Sequence, residues 1–268
     1  MVQTKSKSRE SQDVGSVKGS SLYNFIEAQQ GEAPFGRVLD AGTGPRSLRW
    51  LLGLETESFT AVTGSPVQAT RLRKLVAGSL RPQDRLVAGN WADPNLLAGE
   101  QFDTVIADFL LGAIERFAPY FETQLFERLR PLTSKRLYLT GIQPYVIDRP
   151  KSEAGALIWE IGRHRDACLL LSAQRLHREY PLQWVLTELS RSGFKTIAAR
   201  KFPVAYKGDF AAGQMEMWRG GVERMADRAL AQSLLAYGEE LRQRELAHVE
   251  KHGALSHGFA YAVAADPA

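Results

Sequence analysis

Apolar positions along this chain follow two spacings in alternation. Short runs that read as strands, Arg37–Asp40, Phe59–Val62, Arg85–Ala88, Gln101–Asp108 and Arg136–Gly141, are separated by stretches whose apolar residues recur three and four apart. Those stretches predict helices: Ser20–Gln30 with Leu22, Phe25 and Ile26 inward, Ser47–Leu54, a helix opened by Ser65-Pro66, and one traced by Phe117, Tyr120, Phe121, Leu125 and Leu129. Proline at a first helical position costs no hydrogen bond, because that amide has no partner inside the helix. Further on, Glu153–Arg175 and the segment from Tyr180-Pro181 to Gly193 predict helices, Lys195–Ala199 and Phe259–Ala264 predict strands, and a long charged helix spans about Gly221–His252. Strand and helix alternating in this way make an α/β fold, a doubly wound, mostly parallel seven-stranded sheet with helical cap insertions at about 144–180 and 207–256.

Length and composition narrow the setting. The 268 residues suit one domain covering 20–268, behind a Ser- and Gln-rich head, 1–19, whose composition predicts disorder. Part of the net charge of +4 sits in that head, at Lys5, Lys7, Arg9 and Lys18, and no concentrated basic patch calls for nucleic acid. The charges of Glu239, Glu240, Arg242, Arg244 and Glu245 alternate as on a solvated helix face. Cys168 is the sole cysteine, so neither an intrachain disulfide nor a thiolate metal set is expected, and a reducing, cytoplasmic setting follows, with organelle targeting left open. No apolar run reaches membrane-spanning length.

Candidate chemistry concentrates at the first strand. After Val38-Leu39 the chain runs Asp40-Ala41-Gly42-Thr43-Gly44-Pro45, an acid and a glycine turn between strand and helix, at the sheet edge where doubly wound folds bind nucleotide-like ligands. Gly42 and Gly44 are expected to let the backbone approach a ligand and to take positive φ. A dinucleotide fingerprint would place a third glycine where Ser47 stands. The acid followed by two glycines resembles the first motif of class I S-adenosylmethionine (SAM)-dependent methyltransferases. A second match is Gln101–Asp108, which resembles that family's fourth strand. The likeness covers Arg37 to Gly141 in specific motifs and runs more weakly to Phe194.

The resemblance implies SAM as cofactor, with its methionine end on Asp40, Ala41, Gly42, Thr43 and Gly44. Its ribose would lie at Thr63, Gly64 and Ser65, its adenine at Asn90 and Trp91, with Asp108 and Phe109 closing the site. Family members usually carry an acid at the ribose position, where this chain has Thr63, and often an acid where it has Asn90, whose amide oxygen can still accept a hydrogen bond. The family also implies an antiparallel pair of last strands, here split by the second insertion. Phe109-Leu110-Leu111-Gly112 stands in place of the Asn-Pro-Pro-Tyr motif used on exocyclic amines, which argues against such substrates. Asp108, Tyr145 and His164 are candidate bases. His164 shares the inward stripe of Leu157, Ile161, Cys168 and Leu171, where it is either a half-buried packing residue or a cavity-facing base. Tyr120, Trp159, Tyr180, Trp184 and Tyr206 are aromatics that an apolar or cation-holding acceptor pocket could use.

The function this implies is methyl transfer to a small-molecule acceptor through oxygen, nitrogen or sulfur. Two alternatives remain: transfer of another group from a modified sulfonium such as decarboxylated SAM, and a catalytically inactive binding or regulatory protein on the same fold. The partner expected is the small-molecule acceptor, with no membrane and no nucleic acid; no metal is expected, and a homodimer is left open.

Overall fold

The structure is a computed structural model and describes residues 21–268; the head at 1–19, expected to be disordered, lies outside the described residues. In chain order the elements are α1 (Ser21–Gln30), β1 (Arg37–Asp40), α2 (Pro45–Leu51), β2 (Ser58–Thr63), α3 (Pro66–Leu75), β3 (Arg85–Ala88), β4 (Phe102–Asp108), α4 (Leu110–Phe117), α5 (Glu122–Leu129) and β5 (Thr133–Ile142). There follow α6 (Glu153–Leu171), α7 (Leu182–Arg191), β6 (Phe194–Tyr206), α8 (Phe210–Val222), α9 (Arg228–His252) and β7 (Leu255–Pro267).

The strands form one seven-stranded sheet in the order β3-β2-β1-β4-β5-β7-β6. Pairs β1–β2, β2–β3, β1–β4 and β4–β5 are parallel, and β7 runs antiparallel to β5. Leu39, Val62, Val105, Ala107, Leu137 and Leu139 pack with Leu125, Phe126, Leu129, Leu182, Val185 and Leu189 of α5 and α7. The intervening Val38, Ala61, Ile106 and Tyr138 are buried as well, which a sheet achieves only when helices cover both faces. On that second side the Tyr138 hydroxyl donates to Gln30 Oε1 of α1 at 2.8 Å. Pro203 lies within β6, at the sheet's edge, where a missing amide hydrogen costs no ladder bond.

The chain divides into two compact units. The sheet unit holds 21–144, 176–203 and 259–268; the helical unit is built from Tyr145–Arg175 and Val204–Gly258. Within the helical unit α6, α8 and α9 pack on one another. Gly238 of α9 lets Trp218 of α8 approach, since a Cβ there would stand 2.8 Å from the indole ring. Glu245, fully buried on α9, accepts from the amides of Phe210 and Ala211 at 3.0 and 2.7 Å, so a carboxylate satisfies the otherwise unpaired start of α8.

Three expectations about elements are corrected. The helix traced through Phe117–Leu129 is two helices, because Pro119 disfavours helical backbone at Ala118, and Tyr120 turns at φ 66° before α5 begins. The helix expected at Gly221–His252 starts at Arg228, where the Asp227 side chain caps it by accepting from the Leu230 amide at 2.9 Å; Gly221 belongs to α8. The strand expected at Lys195–Ala199 extends to Tyr206. Among the described residues no helix is long and apolar enough to cross a membrane.

Candidate active site

The strand order reverses between β1 and β4: β2 and β3 continue on one side, β5 on the other. At such a point the loops leaving neighbouring strands diverge and a crevice opens at the carboxyl edge of the sheet. Here it is a cavity of about 110 Å³ walled by four loops: Ala41–Thr43 after β1, Thr63 and Gly64 after β2, Gly89–Trp91 after β3, and Phe109 with α4 after β4. Ala41, Gly42, Thr43, Thr63, Gly64, Asn90, Trp91 and Phe109, all expected at a cofactor site, are thus brought together. Asp40, Gly44, Ser65 and Asp108 are not among its wall residues.

Local chemistry explains how each loop is held. Gly44 takes extended backbone at φ −128° as the N-cap of α2. The Ser47 hydroxyl accepts from the Gly44 amide at 3.0 Å and donates to Asp40 Oδ2 at 2.9 Å. Neither Gly42 nor Gly44 has positive φ, contrary to expectation; what Gly42 supplies is room, because a Cβ there would stand 2.9 Å from Leu110 Cβ and Cδ1. Beside Gly44 a Cβ would meet nothing within 4 Å, so that part of the turn faces open space. Ser65 caps α3 through the Gln68 amide at 3.2 Å. Gly64 lies under the Phe117 ring, 2.7 Å from where its Cβ would be.

Asn90 spends its side chain on the loop. Its Nδ2 donates to the Phe117 carbonyl at 2.8 Å, tying the end of α4 to the loop after β3, and its Oδ1 accepts from the Ala92 amide at 3.0 Å. A second lone pair on that oxygen is free to accept. Trp91 is buried in the core, its indole donating to the Ala41 carbonyl at 2.7 Å, so it braces the glycine turn from behind.

Beside the cavity two carboxylates end neighbouring strands. Asp40 is 1 % exposed, and its Oδ1 has no hydrogen-bond partner among the described residues. Burial, with a smaller contribution from the charge of Asp108, raises its carboxyl to about 7 against the opposing hydroxyls of Thr43 and Ser47 and the Gly42 amide. Asp108 is held from both sides: Tyr23 of α1 donates to Oδ2 at 2.7 Å, and the Thr140 hydroxyl donates to Oδ1. Tyr23 in turn stacks on Trp50 at 4.2 Å, and the Arg46 guanidinium lies 5.1 Å from its ring centre. Sequence reasoning missed Tyr23 and Thr140. The run Leu22, Phe25, Ile26 marked α1 as apolar, and the one polar group pointing from its buried face was the available signal.

The other two candidate bases belong to the helical unit. His164 packs edge-on to Trp218 and Tyr237, each 5.1 Å away, with Nε2 3.0 Å from the Leu234 carbonyl and 3.5 Å from Cys168 Sγ, and Nδ1 4.0 Å from that sulfur. Burial holds its imidazole below the ordinary 6.5. That carbonyl can only accept, so Nε2 carries the hydrogen and the ring serves as a bridge between α6 and α9. The Tyr145 hydroxyl accepts from Arg165 Nη1 at 2.6 Å. Of the aromatics expected around an acceptor, Tyr120 is 86 % exposed, Tyr180 and Trp184 lie tilted against each other at 4.6 Å on the core of the sheet unit, and Trp159 and Tyr206 belong to the helical unit.

No family model and no curated protein matches the chain in sequence. Solved structures do match it. The Bacillus halodurans protein BH2331, a proposed methyltransferase, is 13% identical with a TM-score of 0.57 over 93% of this chain and 100% of its own. The YcgJ protein from Bacillus subtilis is 14% identical with a TM-score of 0.55, covering 92% and 97%. Mycolic acid cyclopropane synthase CmaA1, solved with S-adenosylhomocysteine (SAH) and CTAB, is 16% identical with a TM-score of 0.52, covering 91% and 83%. Together with the strand order and the antiparallel last strand, these likenesses show that the chain has the fold of class I SAM-dependent methyltransferases.

Proposed function

We propose that the chain binds SAM at the carboxyl edge of β1, β2 and β3 and transfers its methyl group to a small-molecule acceptor. The observation that carries this reading is the cavity at the reversal between β1 and β4, with a buried, half-satisfied carboxylate beneath its glycine turn. The residues present fit the cofactor's charge and shape at its methionine end. Gly44 faces open space, and Asp108, joined by Asp40 above about pH 7 and partly offset by Arg46, puts negative charge at that end of the sheet, which favours an ammonium and a sulfonium. Asp40 is too buried to touch a ligand, so its part is electrostatic. At the other end Gly64, Ile114, Phe117 and Ala118 offer apolar walls for adenine, and Thr63 a hydroxyl for the ribose.

SAM, when bound, supplies a methyl already activated by positive sulfur. The chain's task is then to align an acceptor, exclude water and take a proton where the acceptor carries one. Asp108 is the residue we assign to the proton, since Tyr23 and Thr140 fix its carboxylate in one orientation. His164 and Tyr145 we assign to packing in the helical unit. One observation favours the inactive reading: 110 Å³ is below the about 300–1,000 Å³ of pockets that hold drug-sized ligands.

Mass spectrometry of the protein purified without added ligand, followed by calorimetry with SAM and SAH, tests the proposal. Retained SAM or SAH, or one-site binding that Phe117→Ala weakens by about 1–3 kcal/mol as expected for a lost base-stacking surface, supports it. Absence of binding to the folded protein would remove the cofactor assignment.

A further inference from the structure

Away from the sheet edge, the helical unit brings three metal-ligating side chains together. His248 and His252 stand four residues apart, hence on one face of α9, in its last turns, with ring centres 4.5 Å apart. Glu153 opens α6, and its Oε1 lies 3.9 Å from His248 Nδ1, too far for a hydrogen bond. One ligand atom from each of the three lies within 4.8 Å of the other two. The His248 side chain is only 10 % exposed, while that of Glu153 is 80 % exposed. His248 Nδ1 is buried without a hydrogen-bond partner among the described residues. A buried ring nitrogen left unpaired costs stability unless something binds it, and its nearest charged neighbour is a carboxylate already in coordination range of a shared ion.

We propose that Glu153, His248 and His252 bind a zinc-type divalent cation that clips the start of α6 to the end of α9. The donor set is two imidazole nitrogens and one carboxylate oxygen, which suits zinc and leaves a fourth position for water. Magnesium and calcium require mainly oxygen ligands and are poorly served by it. Tetrahedral zinc with bonds of about 2.0–2.2 Å places its ligand atoms about 3.3 Å apart. The observed spacing closes to that value through rotation of Glu153 and His252, which are exposed, while packing holds His248 in place. Because Glu153 comes from the segment Tyr145–Arg175 and both histidines from Val204–Gly258, the ion would join the two insertions that make up this unit.

The test uses the full chain without an affinity tag, stripped with chelator and titrated by calorimetry with zinc and separately with magnesium. One zinc ion per chain is expected, with no magnesium response, and cobalt substituted for zinc should give the intense visible absorption of a four-coordinate site. His252→Ala and Glu153→Gln change exposed side chains and leave the fold intact by circular dichroism. Each should weaken zinc binding, His252→Ala by more than about 100-fold, since even outer-shell partners of a metal contribute about 10–100-fold. The melting temperature should rise with zinc in the wild type and stay fixed in His252→Ala. Absence of saturable zinc binding in the wild type, or wild-type affinity in both variants, would overturn the proposal.

Discussion

A buried carboxylate that is only half satisfied sets the behaviour of the sheet edge. Asp40 titrates at about 7 in the folded protein against an ordinary value of 3.8, so the folded state holds this proton more tightly than the unfolded chain does. Its contribution to stability is therefore fully present below the unfolded value and is lost as pH rises through about 7. Asp40→Asn removes the titration, so the fall in stability, followed as melting temperature, that Asp40 contributes as pH rises from about 5 to 7 should be lost, a difference of about 2–4 kcal/mol at neutral pH, leaving the opposite slope of His164. A variant that declines in parallel would show that another group carries the slope. His164 has the opposite sign: its pKa is depressed, so its contribution is present above the unfolded value of 6.5 and lost as pH falls below it. His164→Gln should flatten that acid limb and lower the melting temperature, while turnover of the folded protein stays near wild type; a collapse of turnover would return His164 to the mechanism. Thr63 is buried against the cavity, and in the proposed binding mode a carboxylate in its place would accept from both ribose hydroxyls. Each charged hydrogen bond contributes about 1.5–3 kcal/mol gross, offset by burial of the new charge, so Thr63→Asp should tighten SAM binding by less than about tenfold in calorimetry.

At the level of elements, α4 decides how wide the site is. Leu110 fills the space over Gly42 and Phe117 the space over Gly64. The helix has eight residues, starts from Phe109 at φ 48° without a side-chain cap, and is followed by Tyr120 at φ 66°. Such a helix has little intrinsic stability, and positive φ at non-glycine residues costs about 1–3 kcal/mol each. Asn90, bonded to the Phe117 carbonyl, couples its far end to the loop after β3. Hydrogen exchange at 109–121 should therefore be faster than in α5 and should slow on adding SAH; equal protection with and without ligand would mean that α4 does not open for it. The pattern Phe117, Tyr120, Phe121 fits one helix on spacing alone; Pro119 within it is the sequence signal for the break, and the left-handed turn at Tyr120 is where the structure makes it. What spacing does not announce is the packing of Leu110 and Phe117 over Gly42 and Gly64. By contrast β1 and β3 lie where short apolar runs bounded by turn residues read as strands, a compositional signal that does not depend on tertiary context and that holds for buried β1 and for β3 at the sheet's edge alike. Helix α8 went unseen: Gly213, Gly220 and Gly221 lower its intrinsic propensity, and its start is fixed by Glu245 from another helix, about 35 residues away in sequence.

Across the whole molecule, the legible parts are those made by neighbours in sequence and the illegible parts those made by distant ones. The glycine turn, with its Asp40-to-Ser47 hydrogen bond, is local and was found as a motif. Tyr23 against Asp108 and Glu153 against His248 join residues 85 and 95 positions apart, and no periodicity announces them. The same distinction bears on charge, because the field at the sheet edge is a sum over Asp40 from β1, Asp108 from β4 and Arg46 from α2. SAM and SAH differ in the positive sulfur, so their relative affinity reads that field directly. Near pH 6 Asp40 is mostly protonated; at pH 8 it is mostly charged, and a unit charge a few ångströms from a second one changes their interaction by about 1–4 kcal/mol depending on the local dielectric. In the wild type the preference for SAM over SAH should therefore grow roughly tenfold between about pH 6 and pH 8, the equivalent of 1.4 kcal/mol. In Asp40→Asn the ratio should be level, while SAH alone binds both proteins with little pH dependence from the sulfur. Calorimetry with both ligands at the two pH values provides the comparison. A ratio that rises equally in the variant would place the titrating group elsewhere, and a ratio level in both would mean that the sulfonium does not sit in the field of Asp40.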